Sequence, residues 1–267
     1  MFWVNGQPAS MISLSDRSFQ YGDGCFTTIL TKEGVAQHWP LHIKRMQACL
    51  DRLVIKSPDW NQVKVWVDQA ALKDSLAGIK LHVSRGEGGR GYNPTGVDSV
   101  TTTISHFSYP SHYLDWQEKG VDLGICGYKL GIMPLLAGHK HNNRLEQVLL
   151  RGEMERVGCQ DGVVMNIYDH VVETTMANLF WSKHDILYTP SLASSGVAGV
   201  IRRMILKDAQ VSGIEVSIGE FSLDHLICAD EVFMTNSILG VAPVRKIDRS
   251  HFPIGAITRR FQENLNS

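Results

Sequence analysis

The amino-acid sequence predicts an α+β fold of two lobes, a smaller N-terminal α/β lobe and a larger C-terminal lobe. Two observations support this prediction. Strand and helix patterns are mixed along the 267 residues without strict βαβ alternation, and a polar stretch around Pro110 divides the chain. We therefore expect the small lobe at residues 1–110, a connection at 111–120 and the large lobe, which carries Lys140, at 121–267.

The first half of the chain alternates short β-branched or aromatic runs with helical spacing of apolar residues. The turn pair Asn5-Gly6 follows an apolar triplet, and Lys32-Glu33-Gly34 ends a run rich in strand formers. Leu41, Met46 and Leu50 lie near one stripe of a helix. We predict strands at 2–4, 25–30, 35–38, 79–83 and 101–105, and helices at 41–53 and 62–76.

The second half continues the mixture of strands and helices. Asn143 and Glu146 have the spacing of a capping box, which predicts a helix start there. We predict strands at 121–126, 162–167, 171–173, 178–181 and 230–234, and helices at 143–157, 199–211 and 256–265.

Composition excludes several classes of protein. Hydrophobic residues make up 43% of the chain and charged residues 20%, and the net charge is −1. This balance gives no electrostatic reason to expect a nucleic acid or an anionic membrane as partner. The five cysteines form no CxxC pair, so neither a disulfide framework nor a cysteine zinc site is expected. Without a signal-peptide pattern or a membrane-spanning run, we expect a soluble cytoplasmic protein.

A glycine-rich stretch, Gly86–Gly91, matches the GxGxxG pattern of dinucleotide sites. Such a site needs a helix at this point, and the following Tyr92-Asn93-Pro94 breaks one. We therefore interpret the stretch as a mobile loop. Its arginines, Arg85 and Arg90, are either carboxylate-binding residues or ordinary solvated loop residues.

Lys140 follows a small apolar segment, Leu135–Gly138. Such a setting desolvates an amine and favours its neutral form, as Schiff-base chemistry requires. The alternative is a solvated surface lysine. Two histidines, His139 and His141, flank it, but no further metal ligands are close in sequence, so we expect hydrogen-bonding histidines and no metal site.

Four weaker signals accompany this lysine. Glu173 ends a strand pattern and Arg45 lies in a predicted helix, and each would be a solvated residue if taken alone. Gly199–Arg202 opens a helix whose first amides suit an anion, and Thr235–Ser237 offers hydroxyl and amide donors. Together these residues supply an amine, an acid and two anion cradles, the groups that a pyridoxal phosphate site needs.

The order and spacing of the motifs resemble those of the fold-type IV pyridoxal-phosphate enzymes, which include branched-chain and D-amino-acid aminotransferases and aminodeoxychorismate lyases. The resemblance covers nearly the whole chain. It is found in the segments Ser15–Arg17, Tyr21–Phe26, His42–Arg45, Ser84–Gly86, Gly91-Tyr92, His139–Gln147, Glu173, Ala177–Phe180 and Gly199–Arg202.

The resemblance implies roles for individual residues. Lys140 would form the Schiff base with pyridoxal 5′-phosphate, Glu173 would face the pyridine nitrogen, and Arg45 would pair with the phosphate. Further cofactor and substrate contacts are implied for Val200, Ile201, Asn236 and Ser237 on the cofactor side, and for Arg85, Arg90 and Tyr92 on the substrate side.

Within this group the sequence looks most like the aminodeoxychorismate lyases. Branched-chain aminotransferases usually carry a tyrosine shortly after the lysine, where this chain has Arg144 and Leu145. The resemblance thus implies conversion of 4-amino-4-deoxychorismate into 4-aminobenzoate and pyruvate by a homodimer. Two alternatives stay open: a D-amino-acid or branched-chain aminotransferase, and a non-catalytic protein on the same fold.

Overall fold

The computed structural model describes residues 1–266, which form two compact units. The first unit comprises residues 1–110 together with 139–144. The second comprises residues 111–138 and the chain from residue 145 onward. The segment around Lys140 therefore packs with the N-terminal residues, whereas the sequence assigned it to the larger lobe. The lobe limits expected from the sequence, at residues 1–110 and 121–267, remain a prediction.

The first unit is an antiparallel sheet with helices, in the strand order β2-β1-β6-β5-β3-β4. Its elements are β1 (Phe2–Val4), β2 (Gln7–Pro8), α1 (Arg17–Tyr21), β3 (Gly24–Lys32), β4 (Val35–Ala36), α2 (Trp39–Leu53), α3 (Trp60–Ala70), β5 (Ala77–Ser84) and β6 (Thr101–Ser108).

The core of the first unit forms where one face of the sheet meets α2 and α3. Cys25 and Ile29 alternate inward along β3, and Met46 and Leu50 of α2 pack into the same buried cluster. The next residues along the strands point to the other face. Phe26 lies opposite His82 in the β3–β5 register, so the two side chains share that second face.

The second unit contains a mixed sheet in the order β12-β11-β10-β13-β14-β7-β8-β9, with β15 paired to β14. Its elements are α4 (His112–Lys119), β7 (Val121–Ile125), α5 (Leu145–Arg156), β8 (Asp161–Met165), β9 (Val171–Thr174), β10 (Asn178–Lys183), β11 (Ile186–Pro190), α6 (Val200–Val211), β12 (Val216–Gly219), α7 (Leu223–Ile227), β13 (Glu231–Asn236), β14 (Gly240–Ile247), β15 (Ser250–His251) and α8 (Ala256–Asn266).

The core that positions α6 is aromatic and aliphatic. Phe180 of β10 stacks on Phe233 of β13, with ring centroids 5.1 Å apart. Ile201 and Ile205 on one side of α6 are buried against this pair. Burial of four large apolar side chains fixes the first turn of α6 against the central strands.

For residues 111–120 the sequence predicted a connection between the lobes and no helix. They form α4, because Tyr113 and Trp116 lie one helical turn apart and both are buried. Pro110 precedes the helix, where its missing N–H does no harm. The predicted helix at 62–76 was also too long, since α3 ends at Ala70.

The predicted capping box is wrong as well. The Asn143 side chain donates to Gly22 O at 3.1 Å, and the Glu146 carboxylate accepts from Gly131 N at 3.2 Å. Both side chains thus make contacts away from the helix start.

Within residues 1–266, no helix combines the length and the apolar character that crossing a bilayer requires.

Candidate functional site

The Lys140 segment lies along the edge of β3. Phe26 N donates to Lys140 O at 3.0 Å, and Asn142 N donates to Gly24 O at 2.9 Å. The side chain of Asn142 donates to the Ser18 hydroxyl at 2.7 Å, which ties the segment to α1 as well. These hydrogen bonds place the lysine on a strand edge rather than on a loose loop, and they fix its backbone direction.

The Lys140 amine lies over an aromatic ring. Its Nζ is 4.5 Å from the centroid of Phe26, and the Nζ of Lys80 is 4.9 Å from the same centroid. The ring of His82 is 5.1 Å from Phe26. Burial, and then the charges of Lys80 and Lys140, lower the pKa of His82 to about 4, so its imidazole is neutral at pH 7.

Arg45 is buried on α2, contrary to the solvated position that its helix alone suggested. Its Nη2 donates to the hydroxyl of Thr27, which also lies 2.6 Å from Nδ1 of His42. Burial, followed by the charge of Arg45, keeps the pKa of His42 well below its usual range. Arg45 is thus a permanent cation beside a neutral imidazole. Thr27, which contacts both side chains, follows Phe26 on β3.

Arg85 is held by partners within the first unit. Its Nε donates to Asp23 Oδ2 at 2.7 Å, and its two terminal nitrogens reach Val54 O at 2.7 Å and Leu53 O at 2.8 Å. Arg17 donates to the same carboxylate at 2.9 Å. A substrate carboxylate would have to displace these bonds, so the geometry favours a structural role for Arg85 over the substrate role expected from the sequence.

Arg90 and Tyr92 lie in the exposed glycine-rich loop. Arg90 pairs through its backbone with Asn93, and the Tyr92 ring makes an edge contact with Tyr21 at 5.6 Å. Arg17 donates to Gly91 O at 3.0 Å and holds the base of the loop. Turns and isolated bridges form this loop.

Glu173 is a buried acid at the end of β9. Its Oε2 accepts from Val197 N at 3.0 Å and from Asn178 Nδ2 at 3.4 Å. The same Asn178 carboxamide accepts from Gly199 N at 3.1 Å and donates to Val197 O at 2.8 Å. Asn178 thus connects the acid to the first residues of α6.

The start of α6 offers backbone amides to an anion. Gly199 is its N-cap, and Val200 and Ile201 are the first helical residues. Amides at these positions have no acceptor within the helix. Gly138 fixes the preceding loop, since its N donates to Gly196 O at 2.9 Å and its O accepts from Ala198 N at 3.0 Å.

The turn between β13 and β14 contains the other predicted cofactor residues. The side-chain oxygen of Asn236 accepts from Ile238 N at 2.9 Å and from Leu239 N at 2.8 Å, so this residue shapes the turn. Ser237 is partly buried beside it. The buried hydroxyl of Thr235 has no hydrogen-bond partner among residues 1–266.

Three site-forming residues were missed at the level of sequence. Asn178 and Arg144 occurred in the motifs that matched the family, but nothing in one sequence assigned them partners. Phe26 was part of a strand pattern, and only the register of the Lys140 segment shows that its ring meets the amine. Strand pairing between distant residues is what single-sequence patterns lack.

A comparison with protein families matches residues 24–247 to the amino-transferase class IV family. The chain belongs to the class IV amino-transferase family. The two-lobed α+β fold and the fold-type IV resemblance are thereby confirmed. Both the Lys140 segment and Glu173 lie inside the matched range of this family.

Relatives within and near this family differ in their similarity to the chain. Aminodeoxychorismate lyase of Vibrio harveyi is 56% identical over the full length of both chains. The crystal structure of 4-amino-4-deoxychorismate lyase from Pseudomonas aeruginosa has a TM-score of 0.93 and 37% identity, covering 100% of this chain and 98% of that one. Branched-chain-amino-acid aminotransferase of Escherichia coli K12 is 30% identical over 67% of this chain and 60% of its own length.

Proposed function

We propose that this chain is a pyridoxal-phosphate-dependent lyase that converts 4-amino-4-deoxychorismate into 4-aminobenzoate and pyruvate. The single observation that supports it best is full-length similarity at 56% identity to a lyase of that name. The structure adds a lysine with a fixed backbone, whose amine lies over an aromatic ring. A fixed backbone suits an amine that must react with the cofactor aldehyde in every catalytic cycle.

The side chains present fit pyridoxal phosphate by their chemistry. In the first unit, Lys140 supplies an amine and Arg45 a buried cation. In the second unit, Glu173 supplies a buried carboxylate, and Val200 and Ile201 supply helix amides for a phosphate. The buried Thr235 hydroxyl and Arg202 Nε, which lack hydrogen-bond partners among residues 1–266, are further polar donors in that unit.

When bound, pyridoxal phosphate supplies an aldehyde that captures the substrate amine and a ring that accepts electrons from the neighbouring carbon. The amine of Lys140, in its neutral form, would act as the general base that takes the proton from C4 of the substrate. The Glu173 carboxylate would hold a proton on the pyridine nitrogen. Its own position is fixed by Val197 N, so it is oriented before any ligand arrives.

We propose that Arg90, rather than Arg85, binds the substrate carboxylates. Arg85 already donates to Asp23 and to two main-chain carbonyls. Lys80 is a second candidate, because its amine lies over the same ring as that of Lys140. Asn236 and Ser237 remain proposed phosphate-binding residues, and Tyr92 remains a proposed substrate-binding residue.

A keto-acid requirement separates the lyase from the aminotransferase alternative. Purified protein supplied with pyridoxal phosphate and 4-amino-4-deoxychorismate should release pyruvate and 4-aminobenzoate in equal amounts without any keto acid. Pyruvate can be followed through lactate dehydrogenase and 4-aminobenzoate by its fluorescence. Turnover that depends on an added keto acid, with transfer of the amino group to it, would favour the aminotransferase instead.

We also propose a homodimer in the cytoplasm. The dimer is implied by the family resemblance, and the exposed face of α5 supports it. Leu145, Val148 and Leu149 lie at helical spacing and are 70%, 63% and 56% exposed. A cytoplasmic location agrees with five unpaired cysteines.

A further inference from the structure

The guanidinium of Arg144 forms a fork across Lys140. Its Nε donates to His141 O at 2.9 Å, and its Nη2 donates to His139 O at 2.8 Å. These carbonyls belong to the residues immediately before and after the lysine. Two parallel donors in a rigid plane are a property of arginine that lysine cannot reproduce.

The fork complements the contact that β3 makes. Successive carbonyls of an extended segment point in opposite directions, so those of His139 and His141 point one way and that of Lys140 the other. Phe26 N donates to the Lys140 carbonyl at 3.0 Å, while the Arg144 guanidinium donates to the carbonyls of the two neighbouring residues. Three consecutive carbonyls are thus fixed from two sides, and residue 140 cannot rotate about its backbone without breaking one of them.

We propose that Arg144 is a positioning residue for the reaction, which fixes the direction of the Lys140 amine without touching cofactor or substrate itself. The inference rests on the proposed role of Lys140 and goes beyond it, since no family resemblance assigned Arg144 a role. A displacement of about 1 Å at a reacting group costs up to about a hundredfold in rate. Loss of the fork should therefore reduce the rate more than it reduces binding.

The test replaces Arg144→Lys, which keeps the charge but not the two parallel donors. We expect kcat to fall about tenfold or more, with KM changed less than about threefold. Capture of pyridoxal phosphate by the cofactor-free protein, followed by visible absorbance in a stopped-flow instrument, should slow by a similar factor. Arg156→Lys is the matched control, because Arg156 is exposed and donates to Gly152 O of its own helix, away from the Lys140 segment.

Chemical rescue separates positioning from a general loss of structure. In Arg144→Ala, added methylguanidinium should restore part of the capture rate, whereas methylammonium at the same concentration should not. The partial exposure of Arg144 leaves room for a small cation to enter. An Arg144→Lys protein with unchanged kcat and an unchanged capture rate would overturn the inference, as would equal rescue by both cations.

The two proposals fail in distinguishable ways. If wild-type protein captures pyridoxal phosphate through Lys140 and Arg144→Lys does so at the same rate, only the role of Arg144 is wrong. If wild-type protein shows no visible absorbance that borohydride abolishes, the proposed function is wrong, whatever the variants do.

Discussion

At the scale of single residues, Asp23 connects two arginines to the base of the glycine-rich loop. Arg17 and Arg85 donate to its carboxylate at 2.9 and 2.7 Å, and the side chain of Arg17 is only 4% exposed. Burial raises the pKa of Asp23, but hydrogen bonds from Arg85 and Arg17 outweigh it and lower the pKa below its usual value. This carboxylate therefore stabilises the folded chain in its charged form.

We predict that Asp23→Asn destabilises the protein by about 2–4 kcal/mol at pH 7, because it leaves a buried guanidinium without its counter-charge. Because the pKa in the folded state is lowered, the stabilisation is present above about pH 4 and is lost as pH falls further. The difference between wild type and variant in urea unfolding should accordingly shrink below pH 4.

A matched control is Asp115→Asn, which breaks an exposed pair with Lys119 on α4. This pair is fully solvated, so the urea midpoint should stay unchanged. Equal losses for the two variants would show that the Asp23 network contributes no more than a surface ion pair.

At the scale of elements, the first turn of α6 depends on a glycine. A Cβ on Gly199 would lie 2.2 Å from the side-chain oxygen of Asn178, the same atom that accepts from Gly199 N. Asn178 in turn contacts Glu173, so this one crowded position connects the acid and the helix amides. Any side chain here must displace either the carboxamide or the helix start.

We predict that Gly199→Ala weakens pyridoxal phosphate binding by about tenfold, equivalent to the loss of about one hydrogen bond. Titration of the cofactor-free protein, followed by visible absorbance, measures the affinity. The control is Gly152→Ala within α5, where an added Cβ meets nothing within 4 Å. That variant should gain about 0.5–1 kcal/mol of stability and keep its affinity. An unchanged affinity in Gly199→Ala would exclude the helix start from the cofactor site.

The elements also show how far a single sequence predicts the structure. Regular patterns, such as the apolar stripe of α2 and the strand run of β3, gave elements of the correct type near the observed positions. Residues 111–120 were interpreted as a connection because of Pro110 and mixed polar residues, and the helix α4 was not predicted there. Tertiary burial of Tyr113 and Trp116 decides that helix, and local pattern cannot reveal it.

For the candidate site, the sequence proposed chemical groups but not the contacts that hold them. Lys140 and Glu173 were proposed from motif order, and their roles remain predictions. The fork of Arg144 reaches carbonyls of nearby residues, but no sequence pattern predicts this side-chain geometry. The link through Asn178 depends on Gly199, which is distant in sequence and is brought close by the fold. The contacts of Arg85 with Asp23 likewise required the register of distant segments.

At the scale of the whole molecule, we predict a dimer with twice the chain mass of 29.8 kDa in sedimentation equilibrium. The exposed apolar face of α5 is the surface we expect it to bury, because large exposed apolar patches usually mark contact surfaces. The double substitution Val148→Asp, Leu149→Asp should shift the protein toward monomer at micromolar concentration. A wild-type protein that sediments as a monomer would contradict the dimer, and a dimeric double variant would exclude α5 from the contact.

The identity of the lysine that holds the cofactor tests the proposal most directly. Two amines, those of Lys140 and Lys80, lie 4.5 and 4.9 Å from the centroid of Phe26, so the structure offers a competitor at almost the same distance. Borohydride reduction of the protein with pyridoxal phosphate, followed by peptide mass spectrometry, should place the label on Lys140. Lys140→Ala should lose the label and the visible absorbance, while Lys80→Ala keeps both. A label on Lys80, or on no lysine, would contradict the proposed function.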